Sequence, residues 1–291
     1  MPPEAKPLAS GLYLVATPIG NLRDITLRAL DVLGAADLVL AEDTRVSGKL
    51  LAAHAISAKL ERYDEHAAAR VRPKVLAALA GGARVALISD AGTPLVSDPG
   101  YRLVVEAVAQ GAAVFPIPGP SAVMAGLTVA GLPTDRFLFA GFPPSKSVAR
   151  RRMFEELASV RATLVFFEGG SRLADSLSDM ASVFGDRPAA VARELTKRFE
   201  EVRRAALPAL AAHYAATPPR GEITVLVGPA PPEQTDAEDL DGQLRAALGA
   251  HSVKDAAALV AGATGLPRKL VYARALALSD LEPGSARSPL P

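Results

Sequence analysis

Residues 84–100 read RVALISDAGTPLVSDPG, an apolar run followed by a long loop of turn-forming residues. The run predicts a buried β-strand over residues 84–89, and the apolar spacing after the loop predicts a helix over 99–110. Similar strand signals, separated by helical patterns, occur at residues 12–17, 37–41 and 113–117. Strict alternation of strand and helix predicts an α/β fold with a mostly parallel sheet covered on both faces.

Three loops follow predicted strands of this sheet, and in parallel α/β sheets ligands bind at the carboxyl ends of the strands. They are TPIGNL at 17–22, the 89–100 loop and IPGPSA at 117–122. A loop as long as 89–100 in a compact domain is usually functional. Within it, Asp90 could accept hydrogen bonds from a ribose diol or an amine, and Gly92 and Thr93 present backbone groups.

Each loop also has a purely structural interpretation. The 17–22 segment is equally compatible with a plain strand-to-helix turn. Asp98 before Pro99 has the form of a helix N-cap followed by proline at the first helical position, and Ser121 has the form of a cap.

Two carboxylates and a guanidinium follow the second strand, at Glu42, Asp43 and Arg45. We predict that they are catalytic: a carboxylate at the sheet edge could deprotonate a hydroxyl, and Arg45 could hold a phosphate in a bidentate manner. The alternative is that Asp43 or Thr44 caps the next helix while Glu42 and Arg45 form an exposed ion pair.

Composition excludes several kinds of chemistry. The chain has no Cys, which excludes disulfides, thiolate metal sites and cysteine nucleophiles, and its four His lack metal-ligand spacing, so no metal is expected. Neither GxGxxG after the first strand nor GxxxxGK[ST] occurs, so the phosphate cradles of NAD-binding and P-loop proteins are absent. A net charge of +1 means that nucleic acid must be bound by local basic patches.

The chain is predicted to fold in successive parts: an N-terminal α/β domain (1–133), a second α/β domain (134–228), a Pro-rich acidic linker (229–243), a helix-turn-helix-like unit (244–281) and a tail (282–291). Residues 1–10 lack the apolar core of a signal peptide, which favours the cytoplasm. The uncharged stretch 111–134 is long enough to cross a bilayer, but Pro116, Pro118 and Pro120 interrupt it. We therefore predict no membrane span there.

Six segments in order carry a resemblance to a known family: GLYLVATPIGNLRDITLRAL, LVLAEDTR, ISDAGTPLVSDPG, FPIPGPSAV, LVFFEGG and ARELTK. Together they resemble the RsmI family of bacterial 2′-O-methyltransferases of small-subunit ribosomal RNA, within the tetrapyrrole methylase superfamily. The resemblance runs from about Leu12 to Val227 and resumes over residues 252–278.

The resemblance implies a two-domain class III methyltransferase that binds S-adenosyl-L-methionine between its domains and acts as a homodimer. The implied substrate is the 2′-hydroxyl of a cytidine in the decoding region of 16S rRNA, as free RNA or in the small ribosomal subunit. With Ser97 included from the 89–100 loop, the candidate cofactor residues are Pro18, Asp90, Ala91, Gly92, Thr93, Ser97, Ser121, Ala122, Phe167, Glu222 and Thr224. The resemblance does not supply a general base.

Two other interpretations remain open at this stage. The same fold could methylate a small molecule such as a tetrapyrrole, although the appended helix pair and the AEDTR loop argue against it. Alternatively, the chain could be a non-catalytic RNA-binding protein that retains the cofactor fold. If RNA is the substrate, the basic runs at 146–152, 197–204 and 268–269 are the candidate phosphate contacts.

Overall fold

The computed structural model describes residues 8–231 and 237–281. They belong to two compact units, one formed by the chain up to Ala230 and the other from Pro231 onward. The predicted tail, 282–291, and residues 232–236 of the predicted linker lie outside the described residues.

The first unit begins with a five-stranded parallel sheet in the order β3-β2-β4-β1-β5. Its strands are β1 (Gly11–Val15), β2 (Leu38–Ala41), β3 (Leu60–Arg62), β4 (Arg84–Ile88) and β5 (Val114–Ile117). Four helices accompany it: α1 (Leu27–Ala35), α2 (Thr44–Ala53), α3 (Glu65–Ala80) and α4 (Tyr101–Ala109). Separate apolar clusters cover the two faces, so the α/β class predicted from the alternation is confirmed.

Strand residues alternate between these two clusters, as the pleat requires. Leu12 and Leu87 pack on one face, whereas Val15 and Ile88 pack on the other. The short strand β3 was not predicted, because its sequence, LER, lacks an apolar pattern. It pairs with β2 at the edge of the sheet, so only one side of its backbone is bonded within the sheet.

The second sheet has the order β6-β7-β10-β8-β9. Its strands are β6 (Phe137–Phe139), β7 (Thr163–Gly169), β8 (Pro188–Arg193), β9 (Glu201–Ala206) and β10 (Glu222–Val227). Only β6 and β7 pair in parallel; the other pairs are antiparallel. Three helices, α6 (Ser147–Leu157), α7 (Leu173–Phe184) and α8 (Leu207–Ala216), enclose the apolar core on one face.

The helix α5 (Ala122–Ala130) covers the opposite face of the second sheet, although it follows directly from β5 of the first. Its buried residues Val123 and Leu127 join a cluster with Val165 and Leu226 of the second sheet. The predicted domain boundary at residue 133 falls after α5, yet the packing places this helix with the second sheet. The stretch 111–134 is thus strand, turn and helix, as predicted.

Over residues 237–281, the second unit folds into three helices: α9 (Ala237–Leu248), α10 (Val253–Thr264) and α11 (Arg268–Leu281). Apolar residues from all three form its core, including Leu244, Val260 and Val271. Arg274 of α11 donates two hydrogen bonds to Asp241 of α9, at 2.7 and 2.6 Å. The predicted linker, 229–243, is therefore too long, because its final residues belong to α9 and pack into this core. In the two described ranges, no helix combines the length and apolarity that a membrane crossing needs.

The ion pair between α6 and α7 provides a test of the packing in the second sheet's helical layer. Arg150 is only 4% exposed and bonds Asp179 through Nε and Nη2 at 2.8 and 2.6 Å. Asp179→Ala should lower the free energy of unfolding by about 3–5 kcal/mol, because it leaves a buried guanidinium unpaired. Urea denaturation followed by circular dichroism measures the loss.

Glu156→Ala is the matched control, since it removes the exposed Arg152–Glu156 pair from the same helix, whose side chains are 82% and 68% exposed. Its expected cost is about 0–1 kcal/mol. Equal losses in the two variants would show that the buried pair does not hold α6 against α7.

Candidate active site

A cavity of ≈ 240 Å³ lies where the carboxyl-end loops of β1, β4 and β5 meet the second sheet. The first sheet contributes Ile19 and most of the loop after β4, and α5 contributes its first turn. The second sheet contributes the ends of β7 and β8 and the start of β10. The lining residues are Ile19, Asp90, Ala91, Gly92, Thr93, Val96, Ser97, Asp98, Ser121, Ala122, Phe142, Phe167, Glu168, Ala192, Leu195, Lys197, Glu222, Ile223 and Thr224.

Hydrogen bonds between neighbouring loops fix the wall around Gly92. The backbones of Thr17 and Gly92 exchange two hydrogen bonds, at 2.9 and 3.0 Å, so the loops after β1 and β4 are joined. The Thr17 hydroxyl donates to the Ser89 carbonyl and the Ser89 hydroxyl to the Gly92 carbonyl, both at 3.1 Å. The Thr93 hydroxyl then reaches the Pro120 carbonyl at 3.1 Å. These contacts fix the positions of the three loops relative to one another.

The later part of the same loop has an unusual backbone. Leu95 and Ser97 have φ values of 71° and 67°, in the left-handed region that costs L-residues energy. Gly100 has φ 132°, and a Cβ atom there would lie 2.6 Å from Leu87 Cδ2. Such conformations cluster at ligand sites, where the surrounding structure holds them in place.

All the predicted cofactor residues except Pro18 line this cavity. They come from sequence positions more than a hundred residues apart, and the fold brings them together; their binding of the cofactor stays a prediction. Ser121 has the alternative role as well, because its hydroxyl accepts a hydrogen bond from the Met124 amide and caps α5.

The predicted catalytic residues Glu42, Asp43 and Arg45 are not among the described residues that line the cavity. Asp43 caps α2 by accepting a hydrogen bond from the Arg45 amide at 2.8 Å, and it also binds the Arg45 guanidinium. Hydrogen bonds from Arg45 hold the pKa of Asp43 far below its usual range. The structural alternative is therefore right that Asp43 caps the helix but wrong about the ion pair, because Arg45 pairs with Asp43 and not with Glu42. Glu42 is close enough to the cavity for its charge to act on Asp98.

Asp98 is a cavity residue that the sequence analysis assigned to a helix cap. That assignment is wrong: α4 begins at Tyr101, its cap residue is Gly100, and no side chain bonds its first turn. Burial, together with the charge of Glu42, raises the pKa of Asp98 to about 6; the nearby Ser89 hydroxyl lowers it somewhat, and the charge of Asp90 raises it further. The only sequence feature that pointed to Asp98 as a site residue was the length of the loop that contains it.

Lys197 brings a positive charge to the cavity wall from the loop after β8. Its ammonium group donates to Glu194 at 2.9 Å and to Glu222 at 2.8 Å. Burial alone would lower the pKa of Lys197, but its hydrogen bonds and ion pairs with Glu222 and Glu194 outweigh burial and raise it. The lysine therefore stays protonated and cannot act as a base at neutral pH.

Aromatic side chains form another part of the wall. Phe167 of β7 contacts Phe139 and Phe142 edge to face, with ring centroids 4.8 and 5.5 Å apart. Phe142 remains 56% exposed. Nothing in the sequence pattern distinguishes Phe142 as a site residue, because the AGFPPSK segment is typical of a connector. In the ranges that the structure describes, no group of three or more acidic or histidine side chains is placed to hold a metal ion.

Comparison with known families identifies matches in both units of the chain. The family model described as Tetrapyrrole (Corrin/Porphyrin) Methylases matches residues 11–211, and the model of the RsmI C-terminal HTH domain matches residues 234–279. The Mesorhizobium japonicum protein called ribosomal RNA small subunit methyltransferase I is 54% identical over 95% of each chain. The Pseudomonas aeruginosa protein of that name is 46% identical over 92% of this chain and 97% of the relative.

Solved structures resemble the first unit in fold. Cobalt precorrin-4 methyltransferase covers 75% of this chain and 94% of its own, with a TM-score of 0.57 and 21% identity. Uroporphyrin-III C-methyl transferase from Thermus thermophilus, solved with S-adenyl homocysteine, covers 75% of this chain and 97% of its own, with a TM-score of 0.53 and 21% identity. At this identity the likeness establishes the fold alone.

Gly92→Leu should abolish binding of S-adenosylmethionine, measured by calorimetry. Gly92 forms part of the cavity wall, and a Cβ atom there would already lie 3.3 Å from Ile19 Cγ2. A longer side chain would therefore occupy space that the ligand needs.

Gly82→Leu separates this effect from backbone strain. Gly82 has φ 85°, against 84° at Gly92, and a Cβ atom there meets nothing within 4 Å. In both variants the left-handed backbone conformation at the new leucine should destabilise the fold by roughly 1–2 kcal/mol. Only Gly92→Leu should also lose affinity for S-adenosylmethionine. Unchanged affinity in Gly92→Leu would remove this loop from the binding site.

Proposed function

The chain belongs to the tetrapyrrole methylase family, and from this premise we propose that it methylates the RNA of the small ribosomal subunit, using S-adenosylmethionine. The proposed acceptor is the 2′-hydroxyl of a cytidine in the decoding region of 16S rRNA. The observation that carries the proposal is the match of both units, the methylase fold and the C-terminal helices, to relatives named for ribosomal RNA. The chain is an enzyme of the methyltransferase class.

The cavity residues suit the proposed cofactor. S-adenosylmethionine supplies a methyl group activated by a positively charged sulfur. Asp90 and Asp98 line the cavity, and their carboxylates favour a cation. Phe142 and Phe167 offer ring surfaces to a purine, and the hydroxyls of Thr93 and Ser121 can bond polar groups. We propose that these residues hold the cofactor.

Apart from binding the cofactor, methyl transfer requires few groups from the protein. Methyl transfer to a hydroxyl needs the acceptor oxygen held close to the methyl carbon and a group that takes the hydroxyl proton. The anchored loops after β1, β4 and β5 keep the cavity wall in place for this purpose. Neither a covalent intermediate nor a cysteine is required, in keeping with a chain that has no Cys.

We propose that only some residues of the predicted basic runs contact RNA. Arg150 is buried in its pair with Asp179, so the prediction that it contacts phosphate is wrong. Lys197 is engaged by two glutamates, as described above. Arg198 is exposed beside the cavity loop, and Arg268 and Lys269 are exposed at the start of α11. We assign the phosphate contacts to these exposed groups.

A homodimer and a cytoplasmic location are further parts of the proposal. Tyr101, Val105 and Val108 are 73%, 48% and 59% exposed and follow one another at helical spacing along α4. An apolar stripe of this kind supports a surface that a second copy covers. The cytoplasm follows from the substrate, because small ribosomal subunits are assembled there.

The test is transfer of labelled methyl groups from S-adenosylmethionine to three acceptors: small ribosomal subunits, naked 16S rRNA and a porphyrinoid. The proposal expects label in the ribosomal RNA, at a ribose 2′-oxygen. Label only in the porphyrinoid would favour the small-molecule methylase, and no label in any acceptor would favour a non-catalytic RNA-binding protein.

Ending the chain at Pro231 should leave the affinity for S-adenosylmethionine unchanged and raise KM for ribosomal subunits. The cavity residues all belong to the first unit, whereas Arg268 and Lys269 are removed with the second. The rise in KM should shrink as the salt concentration increases, because salt screens the contacts of Arg268 and Lys269 that only the full-length chain can make. Unchanged KM would assign the helical unit to stability or self-association.

A further inference from the structure

Asp98 reaches the cavity because the loop before α4 folds inward. The left-handed backbone at Leu95 and Ser97 turns the chain, and Gly100 allows it to pass close to Leu87. As a result Val96, Ser97 and Asp98 all line the cavity. The helix that could have used Asp98 as its cap begins three residues later.

The surroundings of Asp98 come from two neighbouring strands. Glu42 follows β2, Asp90 follows β4, and the charges of both act on Asp98. The Ser89 hydroxyl, which donates to the Gly92 carbonyl, is also near Asp98. Asp90 is already engaged, because its Oδ1 accepts a hydrogen bond from the Asp43 amide at 2.9 Å. The pKa of Glu42 is also raised, chiefly by burial and then by Asp90. The charges of neighbouring carboxyl groups therefore act on both Asp98 and Glu42 at this part of the site.

The other ionisable groups of the wall are unsuitable as proton acceptors. Lys197 is protonated, and Glu222 is tied to it. Glu168 accepts hydrogen bonds from Ser176 and the Gly169 amide and pairs with Arg172. No histidine lies among the described residues that line the cavity.

We propose that Asp98 accepts the proton of the ribose 2′-hydroxyl during methyl transfer, and that Glu42 acts on it only through its charge. This inference rests on the proposed function, which supplies the hydroxyl acceptor. The 2′-oxygen forms a bond to the methyl carbon as the bond from that carbon to sulfur breaks. The electron pair of the broken bond stays on sulfur, and the hydroxyl proton passes to an oxygen of Asp98.

A raised pKa suits this task. A base with a pKa of about 6 is ionised at neutral pH yet binds a proton more strongly than an ordinary exposed aspartate. The rate of the chemical step should depend on the ionised form. It should therefore fall as the pH drops through about 6 and level off above it.

The first measurement is single-turnover methylation of small ribosomal subunits by the full-length Asp98→Asn variant. The rate should fall by about 10²- to 10⁴-fold, the usual contribution of a general base. Asp31→Asn, on the exposed surface of α1, controls for the loss of one negative charge and should keep the wild-type rate. Thermal melting and calorimetry with S-adenosylhomocysteine report folding and cofactor binding in each variant.

The second measurement is the pH profile of the Glu42→Gln variant. Glu42 raises the pKa of Asp98 through its charge, so removing that charge should move the acid limb of the profile to lower pH. The rate on the plateau should remain within a few-fold of wild type. A merely structural role for Asp98 would not move this limb.

Three results would overturn the proposal, and they do so in two distinguishable ways. A wild-type single-turnover rate in Asp98→Asn, or an unmoved acid limb in Glu42→Gln, removes Asp98 from proton transfer while leaving the proposed function intact. If the wild-type chain transfers no methyl group to small subunits, the proposed function fails and the role of Asp98 fails with it.

Discussion

The packing of α5 on the second sheet is the contact on which the rest of the first unit depends. Gly126 lets the helix approach closely, since a Cβ atom there would lie 3.0 Å from Thr224 Cγ2. The helix leaves the first sheet at β5, so this contact fixes the distance between the two sheets. Ser121, at its start, lines the cavity. A bulkier helix face would separate the two sheets and change the cavity they enclose.

Charge in the cavity is arranged in two different ways. Lys197 is compensated by Glu194 and Glu222, and its stem crosses the space above Gly20, where a Cβ atom would meet Lys197 Cγ. That compensation fixes the protonation state of the lysine. Asp98 has carboxylates as neighbours, and its protonation state can change near neutral pH. A site that moves a proton needs a group of the second kind.

The pattern of apolar residues along the chain predicted those strands whose positions depend on burial alone. The strands β1, β2 and β4 are apolar runs buried in a sheet, and the sequence pattern predicted all three close to their observed bounds. The strand β9, EVRRAA, was interpreted only as a basic run, because an edge strand with exposed arginines has no apolar alternation. Nor could the sequence show that α5 packs on the second sheet. Its apolar residues predict a buried helix, and the partner depends on how the chain folds back.

The difference between Asp43 and Asp98 explains why catalytic residues were harder to predict from the sequence than the loops that line the cavity. Both lie just before predicted helices, in patterns typical of caps. At Asp43 the helix begins at the next residue, so backbone and guanidinium donors stabilise the carboxylate. At Asp98 the conformation of Gly100 delays the helix, so the carboxyl group misses the helix N-terminus and meets two like charges. The pKa of an aspartate in the same pattern is thus lowered at Asp43 and raised at Asp98. The difference arises because the backbone conformation of Gly100, two residues after Asp98, decides where the helix begins.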